Sequence, residues 1–122
     1  MNAIEMNSRL KKFAVGIILL VRKFSKSDES KIIGRQIIRS ATSIGANYRS
    51  SIRGRSQAEF ISKIKIAEEE ADETCWWLEL IIELKLAGPV KLDGYMKEAN
   101  ELVAILTASG KTASKNLKNK AR

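Results

Sequence analysis

The sequence predicts an all-α protein, an antiparallel up-down-up-down four-helix bundle. Three observations predict it. Apolar residues recur at spacings of three and four in four separate segments, the period of a helix face. The segments are joined by short polar or Gly/Pro links, which favour antiparallel neighbours. One Pro and seven Gly in 122 residues leave little material for the many tight turns of a sheet protein.

The first helix is expected over residues 8–24. Leu10, Phe13, Ile17, Leu20 and Phe24 form its stripe, widened by Ile18, Leu19 and Val21. Its apolar run, residues 13–21, is far shorter than the ~20 residues of a membrane span. No small-x-small cleavage site follows it, only Arg22-Lys23-Phe24-Ser25-Lys26. A buried helix in a cytoplasmic protein, with no membrane partner, is the expectation.

The second helix is expected over residues 28–52, with Ser27 as N-cap and Asp28 and Glu29 in the first turn, where the helix dipole favours acids. Ile33, Ile37, Ala41, Ile44, Tyr48 and Ile52 share one face. Arg35, Arg39, Arg49 and Arg53 form a row nearly opposite. Gly54-Arg55 makes the next turn.

The third helix, residues 56–87, opens with the capping box Ser56-x-x-Glu59 and stops at Gly88-Pro89. Phe60, Ile64, Ala67, Ala71, Leu78, Ile81 and Ile82 lie on one stripe. Ile66, Trp77, Leu80 and Leu84 make a second apolar strip, with Trp76 at its edge. Two apolar sides call for two partners, so this strip is expected in a subunit interface, with Glu73 among the acids that pair around it. The fourth helix is expected over residues 92–109, its core face formed by Leu92, Met96, Ala99, Leu102, Val103 and Leu106. Residues 1–110 then form one domain. Residues 111–122, KTASKNLKNKAR, read as a disordered basic tail.

The formal net charge is +8, unevenly spread. Residues 56–87 hold Lys63, Lys65 and Lys85 against eight acids, a balance of −5, and the rest of the chain carries +13. A positive surface is the mark of a polyanion binder. The candidate contacts are Arg35, Arg39, Arg49, Arg53 and Arg55, with Lys111, Lys115 and Lys118 from the tail; RNA and DNA are the candidate ligands. The arginine row has a competing use, bidentate pairing with the acidic flank of the third helix. No His is present, and no nucleophile stands beside a base at motif spacing. No catalytic residue, metal ligand or cofactor is assigned, and the chain is read as a non-enzyme. The single Cys, Cys75, excludes an internal disulfide. The rival reading is a protein–protein scaffold or adaptor with no nucleic-acid role.

The stretch Ser43-Ile44-Gly45-Ala46-Asn47, followed by Arg53-Gly54-Arg55-Ser56-x-x-Glu59-Phe60, resembles the signature of the 23S rRNA intervening-sequence family, the S23-like proteins. G-A-N-Y-R at 45–49, E-E-A-D-E-T at 69–74, W-L-E-L at 77–80 and N-E-L-V-A-I at 100–105 extend the likeness over residues 28–113. Gly45 stands where much of the family has Pro, and Tyr48-Arg49-Ser50-Ser51 where it has I-A-E-G. The resemblance implies bacterial four-helix bundles that assemble into ring-like homopentamers, some encoded inside insertions of 23S rRNA genes. A related protein is the accessory factor of diversity-generating retroelements, a basic pentamer that binds a reverse transcriptase and nucleic acid. A homo-oligomer is expected from the two apolar sides of the third helix; its five subunits, and a reverse transcriptase or another protein as partner, are implied by the likeness alone.

Overall fold

A computed structural model of the chain describes residues 1–121. Among them four helices run antiparallel in sequence order: α1 (Ala3–Val21), α2 (Asp28–Ile52), α3 (Gln57–Leu84) and α4 (Asp93–Ala121). Each packs on the next, while α1 and α4 touch over little of their length. None of the described helices is long and apolar enough to cross a membrane.

Helix α1 starts five residues before the expected position. Asn2 caps it, its side-chain oxygen accepting the Glu5 amide at 2.8 Å, and Met6 is buried one turn in. Helix α2 has the expected bounds, with Ser27 accepting the Ser30 amide at 3.1 Å. In α3 the Ser56 hydroxyl accepts the Glu59 amide at 3.1 Å, as the capping box requires. Its end differs from expectation. The helix stops at Leu84, before Gly88-Pro89, because Lys85 turns left-handed at φ 54° and the Leu86 amide closes back on the Ile81 carbonyl at 3.1 Å. Leu86 and Ala87 then fold under the bundle and are buried.

The largest correction concerns the tail. Of the expected tail, residues 111–121 are helical as a continuation of α4, and residue 122 lies outside the described residues. Gly110 is buried against α3, where a Cβ would sit 3.4 Å from the Ile64 side chain. Ala113 is also buried, and the Gln57 side-chain amide donates to its carbonyl at 3.3 Å. Small residues one turn apart let the two helices approach closely, so Gly110 acts as a packing position and not as a stop signal.

The core is filled by fully buried Leu10, Ile17, Leu20, Ile37, Ile44, Ile64, Leu78, Ile81, Leu102 and Leu106. One polar contact crosses it, a 2.8 Å hydrogen bond between the Ser40 and Thr74 hydroxyls. Thr74 also donates to the Glu70 carbonyl at 2.8 Å, so burial leaves neither hydroxyl alone. Expected stripe members at two helix ends, Ile52 and Ile82, are instead exposed.

Helices α1 and α2 cross closely at Gly34, where a Cβ would lie 2.9 Å from Val21 Cγ1. Gly34→Leu should therefore lower the free energy of unfolding by about 1–3 kcal/mol, the range for overpacking a tight core. Urea denaturation checks it; an unchanged midpoint would mean the crossing is looser than drawn.

Candidate nucleic-acid interface

The antiparallel register sorts charge by height along the bundle. Ser40 meets Thr74, and Glu68 meets Thr107, which fixes the levels of α2, α3 and α4. Gly45 meets Leu10 and fixes α1. One half of the bundle then contains residues 1–12, 43–71 and 104–121. It holds twelve Lys and Arg against five carboxylates. The other half, residues 13–42 and 72–103, holds nine against nine. Within the described residues, the excess charge of +7 thus lies wholly in one half.

In that basic half, two depressions flank the N-terminal part of α3. The α2-side depression, of about 510 Å³, is lined by Arg49, Arg53, Arg55 and Lys63, with Glu59 as its one acid. The α4-side depression, of about 520 Å³, is lined by Lys65, Lys111, Lys115 and Lys118, with Glu68 as its one acid. Glu68 accepts the Thr107 hydroxyl at 2.8 Å. The ion pairs among the described residues all lie elsewhere, on Arg9 and Arg39, so no cation of either row is held by a carboxylate.

Six of the eight sequence-predicted contacts are brought together here: Arg49, Arg53, Arg55, Lys111, Lys115 and Lys118. Two are not. Arg39 lies in the neutral half and pairs with Glu70 at 3.1 Å and with Glu73. Arg35 lies in the neutral half as well, one turn further from the basic half than Arg39. The sequence reading missed Lys63 and Lys65. They belong to a segment of net charge −5, and averaging over that segment hides their position at its basic end. Arg39→Ala should leave nucleic-acid affinity within about twofold of the native chain and cost under about 1 kcal/mol of stability, as exposed ion pairs do. A tenfold loss of affinity in a binding titration would return Arg39 to the contact set.

The expected interface strip divides. Glu73 is engaged within the chain, accepting from Arg39 and from the Trp77 indole N–H at 2.9 Å. Trp77 and Leu80 are half-buried against the protomer's own core, and Ile66 is half-buried. Trp76 and Leu84 face outward, 54% and 52% exposed. Ile32 of α2, 59% exposed, lies at the level of Leu80 to Ile82 and was not foreseen.

Two ionisable groups of the other half, Glu98 and Cys75, are perturbed, the first by Arg9 of the basic half. Arg9 donates to both carboxylate oxygens of Glu98, at 2.7 and 2.6 Å, and to Glu101 at 2.7 Å. The Arg9 hydrogen bond holds the Glu98 carboxyl below its usual range, against an opposing push from burial. A depressed carboxyl stabilises the fold above the unfolded pKa of about 4.3 and loses that contribution as pH falls through the folded value. Native chain and Arg9→Gln should therefore differ in urea stability at pH 6, and the gap should narrow as pH falls below about 4; a constant gap would show that Glu98 does not titrate against Arg9. The Cys75 thiol is pushed up by burial first, then by Asp72 and Glu79, which makes it a poor nucleophile. Among the described residues, no group of three or more Cys, Asp or Glu side chains is placed to hold a metal ion.

The family model described as 23S rRNA-intervening sequence protein matches residues 3–108. Among solved structures, a protein of unknown function from the S23 ribosomal protein family of Bacteroides thetaiotaomicron VPI-5482 is 33% identical. The match covers 86% of this chain and 97% of that one, with a TM-score of 0.78. No curated protein matches the sequence. Lys111, Lys115 and Lys118 lie beyond the residues that the family model covers.

Proposed function

The chain belongs to the family of 23S rRNA-intervening sequence proteins, and from that premise we propose that it is a non-enzymatic, self-associating bundle whose basic half holds RNA by its phosphates. The observation that carries this reading is the twelve-to-five excess of cations in one half, with two unpaired rows lining depressions there. Lysine and arginine at phosphates release counterions, and that release supplies most of the affinity of sequence-independent binding. Self-association draws on Trp76, Leu84 and Ile32, exposed apolar side chains of the neutral half. A second copy covering these side chains sets two or more basic halves on one assembly, and avidity then multiplies weak phosphate contacts.

The test is a titration of labelled RNA with the native chain across a salt series from about 50 to 300 mM. Affinity should fall linearly in log–log terms, with a slope near −0.7 per phosphate contact on a single strand and near −0.9 on a duplex. A chain that leaves RNA unbound at about 50 mM salt is instead a protein scaffold, the reading that the exposed Trp76 and Leu84 favour.

A further inference from the structure

Resting on that reading, we infer that the basic half is shaped for double-helical nucleic acid, not for a single strand. The two cation rows lie on opposite sides of α3, so a helix body of about 10 Å stands between them. That separation is on the scale of a duplex groove, about 12 Å across for the major groove of B-form DNA. The ridge between the rows is low, because the exposed positions there include Ala58 and Ser62. A groove can settle over such a ridge with one strand's phosphates on the α2-side row and the other strand's on the α4-side row. A lone strand follows one row and leaves the second idle.

The α4-side row begins where the fold holds the helix and continues along its exposed extension. Lys111, Lys115 and Lys118 sit at i, i+4 and i+7 of a continuous helix, on one face, with rises of about 6 and 4.5 Å between them. Gly110 and Ala113 fix that helix against α3. A disordered tail would follow any polyanion; a helical row with regular spacing favours a ligand whose phosphates keep a fixed track.

Aromatic side chains give the second, independent argument. Single-strand binders stack bases on exposed aromatics, each worth about 1–3 kcal/mol. In the basic half the aromatics are Tyr48, buried, and Phe60, half-buried against the core. The exposed indole of Trp76 belongs to the neutral half. The surface that carries the charge therefore offers bases no platform and offers phosphates two tracks.

The experiment compares the full chain binding a 20-base-pair RNA duplex, a DNA duplex of the same length, and each separate strand, at one salt concentration of about 100 mM. At least one duplex should bind tenfold or more tighter than its strands, and the comparison between duplexes identifies the helical form preferred. Two variants, Arg53→Gln with Arg55→Gln, and Lys111→Gln with Lys115→Gln, should each weaken duplex binding by at least tenfold. The side chains replaced are exposed, and melting curves check that both variants fold. Strands binding as tightly as duplexes, or one pair of substitutions leaving duplex affinity unchanged, would overturn the inference while leaving phosphate binding intact. Absence of binding to every probe would overturn the proposed function itself.

Discussion

Replacing Arg53, Arg55, Lys111 and Lys115 together by Gln will weaken nucleic-acid binding by about 10²–10³-fold at about 150 mM salt. The magnitude follows from counterion release. On duplex DNA each lost phosphate contact removes about 0.9 from the exponent of the salt dependence, and four contacts at that salt amount to nearly a thousandfold. The log–log slope should shrink by three to four units in the same variant. Folding should be spared, since all four side chains are exposed and none takes part in an ion pair among the described residues. A titration with thermal melts alongside separates loss of binding from loss of fold. A variant that melts normally and binds as tightly as the native chain would mean that phosphates are held elsewhere.

The second large effect is expected at Gly110. Gly110→Pro removes a backbone donor inside α4 and sets a ring against the preceding turn, at a cost of about 3 kcal/mol or more to helix continuation. The first part of α4 remains anchored by fully buried Leu102 and Leu106, so the bundle should stay folded. Residues beyond 110 should come off α3, with loss of helical circular dichroism and rapid trypsin cleavage at Lys111, Lys115 and Lys118. The lysines keep their charge in this variant and lose their fixed spacing. If the native chain is already cut there as fast as the variant, the extension of α4 is not a stable part of the fold.

The bundle was legible because its signals are local. Ser27 and the Ser56–Glu59 pair sit beside the amides they cap, and the stripes of α2 and α4 repeat every turn. The start of α1 carries a similar local signal, Asn2 followed by Glu5, which apolar periodicity does not register. The end of α3 was not legible, since Lys85 is not a residue type that favours a left-handed turn. The helical extension of α4 was hidden for a tertiary reason: its partners, Gln57 and Ile64, lie some fifty residues earlier. The arginine row shows the same limit from the other side. On one helix Arg39 and Arg49 look alike, and only the fold places acids of α3 against the first and none against the second.

What the antiparallel register adds is height, which turns a net charge spread along the chain into a net charge at one end. One comparison tests that claim most directly. The variant with Arg53, Arg55, Lys111 and Lys115 changed to Gln is set beside a second variant with Arg22, Lys23, Lys26 and Lys31 changed to Gln. Both lose four positive charges, so their net charges are equal, and only the end of the bundle differs. The account predicts that the first loses affinity for the preferred duplex by 10²-fold or more and that the second stays within a few-fold of the native chain. Equal losses in the two would contradict it, and would mean that total charge, and not its place on the bundle, governs binding.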